Sequence, residues 1–192
     1  MRKLEIGPGT QGRTPDGDNL VHWDTVDSVP GAMYRARWGY DSLPIAEQSY
    51  DWVHASHVLE HVPWWLTRSA LQEVYRVLRP GGRFSVWVPD VVRLFKEYLD
   101  NPQAYAKRER GWPCGGLNER QDPWTYLNAR VFWGARPGER GQEQHFHRAM
   151  FGEPQLEALL RQGGFEHVQR IRRNVAVDPG HGWMELGMEG YR

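Results

Sequence analysis

The sequence predicts an α/β fold: a mostly parallel sheet that ends in an antiparallel hairpin, with an insertion after the fifth strand. Three observations predict it. Short apolar segments of strand length alternate with amphipathic segments of helix length, the pattern of a parallel sheet with crossovers. The first strand starts almost at residue 1 and runs directly into glycines. The alternation then stops over residues 100–148 and resumes as one helix and two strands.

Each element follows from its residues. "LEI" at 4–6 is a short strand entering the stretch "GPGTQG". Gly12, Pro15 and Gly17 break what comes next, so "RTPDGDN" is expected to turn rather than form a helix. "LVHWD" at 20–24 is the second expected strand, ending in the carboxylate of Asp24, and "AMYRARW" at 32–38 is the third. "YDWVHAS" at 50–56 alternates as a half-buried fourth strand. Over 64–78, Leu66, Ala70, Leu71, Val74, Val77 and Leu78 share one helical face. Pro80, Gly81 and Gly82 stop that helix and lead into "RFSVWVPD" at 83–90, the fifth strand.

"VVRLFKEYL" at 91–99 is expected to be helical. The insertion that follows is rich in Gly, Pro, Arg and Trp, and Asp122-Pro123 has the form of an N-cap and first helical residue. "EPQLEALLRQGGF" at 153–165 is an amphipathic helix closed by Gly163 and Gly164. Two strands end the chain, at 167–177 and 183–190, and the turn residues Pro179 to Gly182 between them predict a hairpin. At 192 residues the expectation is one domain carrying the insertion as a lid.

Composition narrows the function classes. Lys plus Arg equals Asp plus Glu at 24 each, so no basic footprint points to nucleic acid. Cys114 is the only cysteine, which excludes intramolecular disulfides and gives no support to thiolate zinc sites. The sequence has neither a charged-then-apolar leader nor a membrane-length apolar run, so a soluble, cytoplasmic protein is expected.

The stretch "KLEIGPGTQG" at 3–12 carries the chemistry. Gly7, Gly9 and Gly12 give G-x-G-x-x-G, which suits a dinucleotide when a helix opens at the glycines and holds the pyrophosphate. That helix is not expected here. Counted with Glu5, the stretch gives E-x-G-x-G. S-adenosylmethionine carries no phosphate. It needs a sharp turn that lets its amino-acid end approach the backbone, and a carboxylate such as Glu5 to meet its ammonium.

Two further runs bear on the choice. "LPIAEQSYDWVHASHVLEHV" at 43–62 and "LQEVYRVLRPGGRFSVWVPD" at 71–90 closely resemble the corresponding runs of class I, Rossmann-like S-adenosylmethionine-dependent methyltransferases. The resemblance is closest to a small bacterial branch with a shortened first crossover, and it extends more loosely over 126–165. It implies a seven-stranded sheet with the donor over the C-terminal strand ends. Carried over by position, Glu5, Gly7, Pro8 and Gly9 form the loop on the methionine side. Asp24 meets the ribose hydroxyls, and Ser56 and His57 lie beside the reactive end. The family often places an acid four residues before Leu43 for the adenine amino group. Gly39 stands there, which leaves Asp41 or a backbone carbonyl for that contact. The reduced crossover implies a sheet face covered by a homodimer partner or by the insertion.

The implied reaction is in-line attack of an acceptor O or N on the sulfonium methyl, with a small molecule, such as a sugar or glycosylated compound, as first choice. Methylation of a protein or nucleic acid is the alternative enzyme reading. A non-catalytic S-adenosylmethionine-binding regulator is the alternative from another class. His57, His147 and Asp90 are the candidate bases; Asp90 equally suits a helix cap. Asp27 reads as a surface residue, and Glu60 and His61 as scaffold. His145 and His147 alternate onto one face, but without an acid or third ligand nearby no metal site is expected. Trp112, Trp124, Tyr126 and Trp133 suit either a core for the insertion or an acceptor pocket. Arg108, Arg110, Arg136 and Arg140 suit solvent or an anionic group on the acceptor.

Overall fold

The structure, a computed structural model, describes residues 1–9, 22–109, 122–132, 146–172 and 182–192. The expected turns at 10–21, the third glycine Gly12, Trp112, Cys114, Trp133, His145, Arg110, Arg136, Arg140 and the hairpin tip lie outside these residues, as does the side chain of Arg108.

The strands are β1 (Lys3–Ile6), β2 (Asp24–Asp27), β3 (Tyr34–Arg35), β4 (Tyr50–Ser56), β5 (Leu78–Pro89), β6 (Glu166–Ile171) and β7 (Glu185–Tyr191). The helices are α1 (Thr67–Val77), α2 (Val91–Asp100), α3 (Pro102–Glu109), α4 (Pro123–Phe132) and α5 (Glu153–Gln162). All seven strands form one sheet in the order β3-β2-β1-β4-β5-β7-β6. β1 pairs in parallel with β2 and β4, and β4 with β5. β7 is antiparallel to both β5 and β6, the closing pair that the turn residues predict.

Alternation along the strands divides the side chains between two faces. Leu4, Ile6, Val53, Ala55, Phe84 and Val86 enter the main core with Ala70, Leu71, Val74 and Val77 of α1 and Leu156 and Leu160 of α5. Each such residue, once buried, contributes roughly 1.5–3 kcal/mol if it is as large as Val or Leu. Trp52, His54 and Ser85 lie on the opposite face. There the Trp52 indole donates to Ser85 Oγ at 2.9 Å, and the Ser85 hydroxyl is 2.8 Å from His54 Nδ1. A separate core of Leu94, Tyr105, Ala106, Tyr126, Leu127 and Val131 joins α2, α3 and α4 to Met184 at the entry to β7. Tyr126 is thus core, whereas Trp124 is exposed beside Tyr98.

The second strand departs from expectation. β2 begins at Asp24 and ends at Asp27, so Asp24 opens it. His22 and Trp23 precede the strand. The apolar pattern of "LVHW" suggests a strand too early because Trp23 is buried by ring packing on Trp52, at 4.8 Å between centroids, and not by a strand register. β3 shrinks to Tyr34 and Arg35, and β5 starts earlier than expected, at Leu78.

Candidate functional site

A cavity of about 470 Å³ opens at the C-terminal ends of β1 and β2 and over the residues that follow β4. In an open α/β sheet, ligands bind where the strand order reverses. Here the reversal falls between β1 and β4, since the chain leaves β1 for β2 on one side and returns to β4 on the other.

The turn after β1 forms the floor. Gly7 and Gly9 have φ of +69° and +58°, left-handed values that glycine adopts without a Cβ penalty. A Cβ on Gly7 would lie 2.4 Å from a Val58 methyl, so the turn packs directly on the segment after β4. Over Gly9 a Cβ would meet none of the described residues within 4 Å. The Gly7 N–H donates to the Val26 carbonyl at 2.8 Å. The Gly9 N–H donates to Asp27 Oδ2 at 3.0 Å, and Val29 N–H donates to Asp27 Oδ1 at 3.2 Å. Asp27 therefore shapes the turns at the ends of both β1 and β2. It also accepts from the Ser28 hydroxyl at 3.4 Å, lines the cavity, and keeps an acceptor site beyond those three bonds.

Asp24 stands elsewhere. Its Oδ2 accepts from the Tyr50 hydroxyl at 2.7 Å and from Arg2 Nε at 2.9 Å. It occupies the N-terminal end of β2, three residues or about 10 Å of strand from Asp27. Among the described residues the acid that lines the cavity is Asp27. Asp24, expected at the C-terminal end of the second strand, opens it instead.

Asp41 is a turn residue whose Oδ2 accepts from Arg37 N–H at 2.8 Å; Arg37, not Asp41, reaches the cavity. Leu43 is buried in the core and its N–H donates to Glu73 at 2.9 Å. Glu5 is buried on β1, on the sheet face that also carries His54, and does not line the cavity. Pro8 sits between the two lining glycines. Ser56 ends β4 and is half-buried. Asp90 caps α2, accepting from Arg93 N–H at 3.0 Å, and is also absent from the cavity wall.

His57 lies on the wall and has a φ of +56°. Its Nε2 is 2.9 Å from Glu185 Oε1 and its Nδ1 is 3.2 Å from Glu60 Oε1. Burial alone would lower its pKa, but the two carboxylates outweigh burial and hold it at about 9. The same contacts overcome the burial of Glu60, which falls to about 2. At neutral pH His57 is an imidazolium with both N–H groups directed at carboxylates. This candidate base is thus paired to two carboxylates.

His61 and His147 meet beside this network, with ring centroids 5.1 Å apart. Burial pushes His147 down to about 4, and His61 and His57 add to that effect while Glu60 opposes it, so the ring is neutral. Arg148 and Tyr40 complete this end of the cavity and are joined by a hydrogen bond from guanidinium to hydroxyl. Arg148 N–H also donates to the Glu60 carbonyl at 2.7 Å, which fastens the end of the insertion to the turn over Leu59–His61. Sequence patterning passed over Asp27, Tyr40 and Arg148. Only the "SVPG" turn just after Asp27 signals where β2 ends.

Residues 30–86 match the model of a methyltransferase domain family. Demethylmenaquinone methyltransferase of Corynebacterium efficiens is 34% identical, over 38% of this chain and 40% of that protein. The chain therefore spans well under half of that curated relative. An S-adenosylmethionine-dependent methyltransferase from Thermotoga maritima superposes with a TM-score of 0.55 at 18% identity, covering 99% of this chain and 81% of that one. A Burkholderia thailandensis 1,6-didemethyltoxoflavin-N1-methyltransferase, solved with 1,6-didemethyltoxoflavin and S-adenosylhomocysteine, gives 0.52 at 18%, covering 99% and 70%. Among the described residues no helix is long and apolar enough to cross a membrane. With its seven-stranded order and its glycine turn after β1, the chain has the fold of the class I, Rossmann-like S-adenosylmethionine-dependent methyltransferases.

Proposed function

We propose that this chain transfers a methyl group from S-adenosylmethionine to an oxygen or nitrogen of a small-molecule acceptor. One observation carries the reading. The cavity lies where the strand order reverses, and its floor is two left-handed glycines, of which Gly9 is bonded to the carboxylate of Asp27. The residues fit the donor. No described residue stands over Gly9, which admits a ligand against the backbone, and Asp27 retains acceptor capacity for a ribose hydroxyl. Gly7, Pro8 and Gly9 take the methionine side, with the buried carboxyl group of Glu5 behind them on β1. Val29, Ala36 and Trp38 give an apolar wall for the adenine.

When bound, the donor supplies an electrophilic methyl on a sulfonium, so the protein's task is to position, desolvate and orient. His57 keeps a fixed hydrogen-bonding geometry beside the donor and does not accept a proton. Tyr40, His61 and Arg148 form the acceptor side. A small acceptor is supported by the size of the cavity and by the zero net charge, which offers no nucleic-acid footprint. The small-molecule acceptors named for the matched relatives agree in size class.

The test is calorimetric titration of the protein with S-adenosylmethionine, S-adenosylhomocysteine and NADH. Micromolar binding of the first two and none of the third is expected. Binding of NADH alone would overturn the donor assignment.

A further inference from the structure

Glu60, His61 and His147 each present one ligand atom, and the three atoms lie within 4.8 Å of one another. Two of these residues are adjacent in sequence, and the third comes from the far end of the insertion. We propose that they form a binding site for a divalent transition-metal ion of the zinc class, at the acceptor end of the cavity.

Three observations carry this. First, the donor set of two imidazoles and one carboxylate is that of zinc sites with open positions, and of other first-row metals. Second, the Glu60 carboxylate is 1% exposed, yet neither of its oxygens makes a well-formed hydrogen bond. Its Oε1 has the ion-pair contact with His57 Nδ1 at 3.2 Å, which leaves Oε2 for another cation. A buried carboxylate in that condition is costly unless a second positive group meets it. Third, the His61 ring is set as a metal-ligating histidine is. His61 Nδ1 is 3.3 Å from the Phe146 carbonyl. A carbonyl only accepts, so Nδ1 carries the proton and Nε2 carries the lone pair. A backbone acceptor on one ring nitrogen is the usual support for a ligand on the other.

The span also suits an ion. Metal–ligand bonds of about 2.0–2.2 Å bring tetrahedral donors to roughly 3.4 Å apart, so the cluster needs to tighten by about an ångström. His61 and His147 are only half-buried, and a small turn of either side chain covers that difference. His57 then orients the ligating carboxylate from behind, and Glu185 orients His57. His61 lines the cavity, so an open position there would be offered to an oxygen or nitrogen donor of the acceptor. That use rests on the methyl-transfer reading; the ion site does not.

The test is titration of the full chain, stripped with chelator, with Zn²⁺ by calorimetry and with Co²⁺ by visible absorption. One ion per chain at micromolar or tighter Kd is expected, with the d–d bands of a low-coordinate cobalt site. His147→Ala and His61→Ala should each weaken binding at least tenfold, as loss of a ligand must exceed the loss of its outer support. His167→Ala, on the exposed strand β6, should leave binding unchanged. Donor titration of the same samples reports whether the fold survives. Binding no tighter than millimolar, or binding that the His61 and His147 variants leave intact while donor affinity persists, would overturn the site without touching the methyl-donor assignment.

Discussion

The Asp27 carboxylate accepts a hydrogen bond from the Gly9 N–H at 3.0 Å. Together with the bond from the Gly7 N–H to the Val26 carbonyl, it joins the end of β2 to the turn after β1, and so joins the two halves of the proposed donor site. Asp27→Ala should weaken S-adenosylmethionine binding at least about tenfold, because it removes a ribose acceptor and loosens the loop together. Asp24→Ala should leave affinity unchanged and cost about 1–2 kcal/mol of stability through the lost Tyr50 and Arg2 bonds. Calorimetry and denaturant melts separate the two. The reverse pattern would return the ribose role to Asp24.

Gly7→Ala combines a left-handed φ with a Cβ 2.4 Å from Val58. A cost of about 2–3 kcal/mol is expected, with donor binding lost, since strain and overpacking add. Gly9→Ala has the φ penalty but no described neighbour within 4 Å, so its stability cost should be nearer 1 kcal/mol. Equal costs in urea melts would sink this account of the turn.

His57 gives a pH signature. Its pKa is raised from 6.5 to about 9, so its stabilising contribution is complete below pH 6.5 and is lost as pH rises through about 9. The melting temperature of the protein should fall across that window, and His57→Gln should be less stable but flat there. Nuclear magnetic resonance of the His57 ring should show the imidazolium at pH 7.5. A ring that titrates at its ordinary value would contradict the paired geometry.

Asp90→Ala should cost about 1 kcal/mol through the lost cap of α2, with the donor affinity kept. Turnover of any identified acceptor should change little at a temperature where both proteins are folded. A hundredfold loss of turnover at full folding would make Asp90 part of the chemistry.

Much of the sheet was legible because local pattern and tertiary burial agree there. β4 spans the expected residues 50–56, and Ala70, Leu71, Val74 and Val77 of α1 are buried as their spacing predicts. β2 was displaced because Trp23 looks like a strand residue and packs by its ring. His57 was legible as a cavity residue but its charge was not, since Glu185 lies 128 positions away. The His61–His147 pairing was hidden for the same reason, and "QHFHRAM" drew attention to His145 as the partner instead. Local pattern predicts which face a residue occupies; it does not predict which distant side chain faces it.

β7 lies between β5 and β6 in the sheet and brings Glu185 to His57. During synthesis the parallel strands β1, β2, β4 and β5 are all made before this residue exists. Until β7 inserts, His57 lacks the carboxylate closest to it, and its imidazole should titrate nearer the ordinary value. The protonation of one cavity histidine is therefore a readout of whether the last strand has docked. A ligand that selects the charged form would hold the sheet closed, linking cavity occupancy to the resistance of the C-terminal strands to proteolysis.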